Sequence, residues 1–371
     1  MPKLSKWMMP LAGAIVCLLL LGPALALTFR GITDFIDLYA GAKLTFTGDQ
    51  YNVARVLATE AHTTGFFSAT RLFMRMPVFG LLLWPIAQMP YSRASPIWEG
   101  LCVLAIAAFG VLWPAKRARV IAACCWSLPV WMTLAEGQDV AFLLLWLALA
   151  TIALCRKRSM MCGLILSLCL AKYHLFLLLP LWLIVNRLGR IAVGLTIGSA
   201  VLVLASFIAG GADWPQRYFA LLREPTHNPY PGLMPNLHGV FADAPALELT
   251  AAVVVAVLAC LAMRKLDVLS GLAVVLMGGI LIAPHDYMAD CALLVPAAIL
   301  LLERRRRIAT RVLLLWLLTP IPYAALMLGA SWMIIGPSIA LLTLLVFDRE
   351  SAPAIQPQSE QCPSGEAHSP A

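Results

Sequence analysis

Few polar groups interrupt this chain, and the ones that do are carboxylates, a lysine and histidines beside apolar runs. The first cluster is Gly31-Ile32-Thr33-Asp34-Phe35-Ile36-Asp37-Leu38-Tyr39. A carboxylate at Asp34, flanked by Phe35 and Ile36, suits a general base that takes a proton from a hydroxyl. The same position suits a helix N-cap, with Thr33 or Asp34 opening an amphipathic surface helix through Lys43. The second cluster is Lys172-Tyr173-His174, inside an otherwise apolar stretch. A buried ammonium is stable only beside an anion or water, so Lys172 expects a phosphate or a protein carboxylate, or else snorkels to the interface. The third is Pro284-His285-Asp286-Tyr287, with Asp290 one turn further on. It reads as a ligand site or as a polar helix cap with a packed histidine. Arg71 and Arg75, just before Pro77, are fixed charges at the mouth of a short apolar segment, or plain interface anchors. A charge at membrane depth costs about 2.5–3.5 kcal/mol, so each of these groups needs a reason.

The elements that must position them are membrane helices. Of 371 residues, 61% are hydrophobic and only 12% charged, far from the roughly 25% charged residues of a soluble domain. The apolar runs are continuous rather than alternating, which excludes an outer-membrane barrel and leaves an all-α polytopic membrane protein. The net charge of +8 is spread over short basic clusters between apolar runs, at positions 3/6, 116–119, 156–158, 187/190, 264/265 and 304–307. That is the pattern of cytoplasmic loops, not of a nucleic-acid surface. Nine of the ten cysteines sit in or beside apolar runs and form no CxxC pair, so neither disulfides nor zinc is indicated.

Residues 8–27 read as an uncleaved first helix rather than a signal peptide, although Ala24-Leu25-Ala26 mimics a cleavage site. Further spans are expected near 95–113, 120–135, 139–155, 190–209, 247–263, 267–283, 287–302, 309–329 and 331–347. Residues 77–90 form a half-length segment, and 160–186 splits into two half-helices at Lys172. The total is about twelve crossings, with both termini cytoplasmic. Residues 1–348 then form one transmembrane domain and 349–371 a disordered cytoplasmic tail. Two long loops, 28–75 and 210–246, share the outer face with three short turns: Glu136-Gly137-Gln138-Asp139, Lys172-Tyr173-His174 and Pro284-His285-Asp286-Tyr287. Any chemistry belongs there. Walker, Rossmann, nucleophile-elbow and HExxH patterns are missing, which argues against nucleotide hydrolysis, dinucleotide redox chemistry and metalloproteolysis. No matching pair of broken helices supports a secondary transporter. A transporter or flippase for a lipid-linked or small polar solute, and a non-catalytic scaffold, remain as competing readings.

Several separated segments together resemble glycosyltransferase family 87 (DUF2029). They are Asp34-Phe35 with Tyr39-Ala40 and Gly48-Asp49-Gln50-Tyr51; Phe73-Met74-Arg75-Met76-Pro77 with Trp84-Pro85, Pro90, Ala94 and Trp98; Gly137-Gln138; Gly163 with Lys172 and Pro180; and Pro284-His285 with Asp290, Leu294 and Pro296. The chain departs from the family pattern at Asn52, Met76 and Asp139. The resemblance implies a GT-C-type helix bundle in the plasma (inner) membrane with a periplasmic site. It further implies a polyprenyl-phosphate sugar donor, mannose by analogy, and a lipid or glycan acceptor. By match to the DF motif Asp34 becomes the base of an inverting transfer. The donor phosphate is then expected at Lys172, Arg75, His174 and His285. Sugar or acceptor is expected at Asp37, Tyr39, Asp49, Gln138, Asn236, His238 and Asp290. No metal or other cofactor is expected.

Overall fold

The computed structural model describes residues 5–22, 33–65, 72–223 and 230–347. Arg71, the start of the first long loop and the tail from 349 lie outside the described residues. Lipid offers no partner for backbone N–H and C=O groups, so apolar runs of this length close their hydrogen bonds internally as helices. Among the described residues all regular structure is helical and no strand occurs.

In chain order the helices are α1 (Ser5–Leu20), α2 (Phe35–Lys43), α3 (Val53–Thr64), α4 (Pro77–Ala87), α5 (Tyr91–Leu112), α6 (Arg117–Trp126), α7 (Leu128–Ala135) and α8 (Val140–Cys155). Next come α9 (Ser159–Ser167), which runs on as a 3-10 segment Leu168–Phe176, then α10 (Leu179–Val185), α11 (Gly189–Gly210) and α12 (Trp214–Leu221). The last are α13 (His238–Phe241), α14 (Pro245–Met263), α15 (Val268–Ile282), a 3-10 turn Met288–Leu293, α16 (Leu294–Arg304), α17 (Ile308–Leu318), α18 (Ile321–Leu326) and α19 (Trp332–Phe347).

Four stretches are long and apolar enough to cross a membrane: α5, α9 with its 3-10 continuation, α11 and α14; α6 with α7 makes a fifth if that bent pair is one span. Six further apolar helices among the described residues, α1, α4, α8, α15, α17 and α19, are shorter, at 10–17 residues. A 16-residue helix is about 24 Å long, short of a hydrocarbon core of about 30 Å. Two expected spans are broken by proline. The 120–135 run bends by 70° between α6 and α7. Pro129 cannot continue a helix through Cys125, whose freed carbonyl accepts the Trp131 indole N–H at 3.1 Å. The 309–329 run likewise stops at Leu318 and restarts at Ile321, around Pro320 and Pro322. The break expected at Lys172 is present, because Lys172 has non-helical angles (φ −129°, ψ 60°) inside the 3-10 segment.

The interior is made by α15 and α16, whose residues 269–281 and 294–301 are all buried. A helix that is apolar all round belongs in such a core. By contrast α11 and α14 each turn an apolar face outward, with Val201, Leu204 and Ile208 on one and Leu249, Val253 and Val257 on the other. Close backbone approach locks the bundle around Lys172. A Cβ on Gly163 would fall 2.0 Å from the Ile191 carbonyl oxygen, and one on Gly194 2.1 Å from that of Met160, so α9 and α11 touch through glycine. A Cβ on Gly279 of α15 would meet the Leu175 carbonyl oxygen at 2.0 Å, just beyond Lys172.

Candidate functional site

The site is organised by the turn that follows α7. Gly137 takes φ +64°, the left-handed conformation glycine adopts without strain. Gln138 N–H donates to the Thr133 carbonyl (2.9 Å) and Gly137 N–H to that of Leu134 (3.3 Å), the paired bonds of a Schellman helix end. The turn's own carbonyls are used to dock other elements. Glu136 C=O accepts the Asp34 N–H at 2.9 Å, and Gly137 C=O accepts the Trp98 indole N–H at 2.6 Å. Phe35 stacks on Trp98 (centroids 5.2 Å) and on Tyr91 (5.9 Å), which seats the start of α2 against α5. The helix from Phe35 to Lys43 is therefore not an amphipathic surface helix: seven of its residues, from Phe35 to Ala42, are buried.

Asp34 stands at the N-cap position of α2 but makes no side-chain cap bond. Its carboxylate instead accepts the Gln138 side-chain N–H at 2.5 Å. The other end of that amide, Oε1, accepts from Lys172 Nζ at 3.0 Å. An ammonium can only donate, so Lys172 settles which end of Gln138 faces Asp34. Lys172 also donates to Asp290 Oδ1 at 2.6 Å and lies 3.4 Å from Asp139 Oδ1. Lys172 and Asp290 are each only 4% exposed. Asp290 is the third residue of the last 3-10 turn and accepts the Tyr287 N–H, at the head of that turn, at 3.1 Å on its second oxygen.

Asp139 begins α8, again without a side-chain cap bond. Arg75 grips it in a fork, Nε to Oδ2 at 2.7 Å and Nη2 to Oδ1 at 3.1 Å, the strongest geometry such a pair has. The Arg75 carbonyl in turn accepts the Tyr51 hydroxyl at 2.7 Å. Burial by itself would raise the Asp139 carboxyl; Arg75 and Lys172 override it and hold that group below the ordinary carboxylate range. Burial likewise disfavours the Arg75 charge, and Asp139, with smaller help from Asp37 and Asp290, keeps it firmly protonated. Two cations thus face two carboxylates, and Asp34 adds a third acid through a neutral amide.

His174 and His285 lie beside this network with rings 6.0 Å apart, and His285 is edge-on to Tyr287 at 5.2 Å. The buried Nε2 of His174 has no hydrogen-bond partner among the described residues. Of the residues anticipated from sequence, the fold brings Asp34, Arg75, Gln138, Lys172 and Asp290 into one hydrogen-bonded system. Asp37, on α2, is near enough to Arg75 to favour its charge. Four residues fall outside it. Tyr39 is buried, with its hydroxyl on the Met89 carbonyl at 2.8 Å. Asp49 forms a surface pair with Arg55 at 3.3 Å. Asn236 is fully buried and ties its loop to the Ala283 carbonyl (2.8 Å) and to Asp286. His238 pairs with Glu248 at 3.1 Å.

Asp139 entered the sequence reading as the end of an outer turn and as a departure from a pattern, with no role of its own. The signal that could have found it is electrostatic: Arg75 and Lys172, both set among apolar residues, require acidic partners, and Asp139 is one of few available. Trp98 and Asp286 stood inside the named motifs but were given no role, because the Gly137 carbonyl and the Asn236 amide they meet are distant in sequence. No group of three His, Cys, Asp or Glu among the described residues is placed to hold a metal.

A bundle of apolar helices around a buried network of acids and cations defines a polytopic membrane protein with a built polar site. Residues 73–284 match glycosyltransferase family 87, and the chain belongs to that family. It is therefore a membrane glycosyltransferase. The matched stretch holds Arg75, Gln138, Asp139 and Lys172; Asp290 lies just beyond its end and Asp34 well before its start. Neither the curated proteins nor the solved structures contain a match to the chain.

Proposed function

We propose that the chain transfers a hexose, mannose by family analogy, from a polyprenyl-phosphate carrier to a hydroxyl of an envelope lipid or glycan, with inversion at the anomeric carbon. Asp34 takes the acceptor proton as that oxygen bonds the anomeric carbon. The bond from that carbon to the phosphate oxygen breaks, and the lipid phosphate leaves as an anion. The observation that carries this reading is the Asp34–Gln138–Lys172 chain: a half-buried carboxylate held at one angle by an amide that is itself fixed by a cation.

The network also refines the part each cation plays. Lys172 already has Gln138, Asp290 and Asp139 around it, and Arg75 is forked onto Asp139. Their role is to fix Gln138 and Asp139 rather than to wait as open charges. The His174–His285 pair, at the edge of the network, is the better place for the departing phosphate. The basic clusters support an outward-facing site. Those at 156–158 and 304–307 follow the far ends of α8 and α16, one helix away from the network, and positive charge marks the cytoplasmic side. About twelve crossings, in a GT-C-type layout, would accommodate this arrangement.

The test is purified protein supplied with a polyprenyl-phosphate sugar and an acceptor. Asp34→Asn should lower transfer about a hundredfold or more, the usual contribution of a positioned base. Undiminished transfer by Asp34→Asn removes Asp34 from the chemistry. Solute uptake without transfer points to a transporter instead.

A further inference from the structure

A second site lies at the other end of the bundle and is independent of the proposed chemistry. A cavity of about 470 Å³ sits between α1, α6, α16 and α17. That volume falls within the range of small-ligand pockets, about 300–1,000 Å³. Its walls are single helix faces. Arg119, Ala122 and Trp126 follow one another along α6 at spacings of three and four, and Arg311, Leu315 and Leu318 do the same along α17. Both helices begin at the basic end of the bundle, so both faces run from an arginine into apolar depth. On α6 the distance from Arg119 to Trp126 is about 10 Å, from seven residues at 1.5 Å each. Glu303 at the end of α16 shares the rim and sits 3.4 Å from Arg119. Arg311 forms no ion pair among the described residues and is exposed. The rim therefore carries two cations against one carboxylate, above an apolar slot.

We propose that this slot binds one anionic membrane phospholipid, its phosphate between Arg119 and Arg311 and an acyl chain along Trp126 and Leu318. The polarity gradient selects the occupant. A soluble anion would leave the apolar depth unfilled, and a zwitterionic lipid would bring its own cation to a rim that already has an unmatched one. An anionic lipid satisfies both ends.

The experiment is native mass spectrometry of the full chain in detergent, with phosphatidylglycerol or phosphatidylcholine of identical acyl chains. Wild-type protein should retain phosphatidylglycerol about fivefold or more over phosphatidylcholine, the factor one unmatched basic residue is worth near an anionic lipid. Arg119→Gln/Arg311→Gln should erase that preference while phosphatidylcholine retention stays the same. Ala122→Phe, which fills the slot, should lower retention of both lipids. Equal retention of the two lipids by the wild type overturns the proposal, and that comparison needs no variant to fold. Displacement of phosphatidylglycerol by inorganic phosphate at equal concentration also overturns it, because the rim alone would then be the site.

Discussion

Asp34 and Lys172 are joined by one side chain. The Gln138 amide gives its N–H to the carboxylate and its oxygen to the ammonium, so the two charged groups that flank it cannot turn independently. Under the proposed chemistry, Gln138 is a positioning residue whose effect is felt at Asp34. Gln138→Leu keeps the volume and removes both bonds. It should lower kcat about tenfold to a hundredfold, the scale of a misplacement of about 1 Å, with little change in the donor KM. Lys172→Met added to Gln138→Leu should cost little further kcat, because the link is already cut. A kcat for Gln138→Leu equal to wild type, measured in the transfer assay, would leave Asp34 without need of this support.

The Lys172–Asp290 pair is buried on both sides, and breaking it from one side strands a charge. Lys172→Met and Asp290→Asn should each destabilise the protein by about 3–5 kcal/mol. The double variant should lose much less than the sum, since it removes both charges. Thermal unfolding of the four proteins in one detergent gives the coupling directly. Additive losses would mean that the two groups do not share one interaction.

Asp139 sets an acid limit. Its native pKa is depressed, so its contribution to stability is complete above its unfolded value of about 3.9 and is lost as pH falls through the native value. Asp139→Asn removes that contribution and leaves Arg75 unpaired. The gap in Tm between wild type and Asp139→Asn should thus be constant from pH 7 down to about 4 and close at lower pH. A gap that widens on acidification would have the wrong sign for this pair.

Asp286 behaves oppositely. It is completely buried, it accepts from Asn236, and its second carboxylate oxygen has no partner among the described residues. Burial, with Asp290 adding to it, pushes this carboxyl well above the ordinary range. A raised native pKa gives stability that is full below about 3.9 and is lost as pH rises through the native value. Asp286→Asn, neutral at every pH, should therefore equal or exceed wild-type Tm at pH 8. Asn236→Ala should cost about 1–3 kcal/mol by orphaning buried acceptors. A large loss from Asp286→Asn at pH 8 would show that the charge is needed there.

Much of this molecule could be read locally. The apolar runs announced membrane helices, and Lys172 announced a break in one of them. Asp34 could be placed at the head of a helix but not assigned a partner. Its cap bond is absent because Gln138, far along the chain, offers a better one. Asn236 and His238 carry polar groups that suit a sugar. Packing buries Asn236, which holds its loop against the Ala283 carbonyl, and sets His238 beside Glu248, both partly exposed. Proline positions were visible, yet their effect on the 120–135 and 309–329 runs was not, because hydropathy counts composition and ignores a missing N–H.

Composition alone decided the solvent of this protein and the helical form it takes there, since lipid leaves the backbone no other way to satisfy itself. The same low polarity required that every interior charge find an opposite one. Which carboxylate meets which cation is a matter of distance in space, and distance was settled only when glycine contacts drew α9 against α11 and α15 against the Lys172 segment.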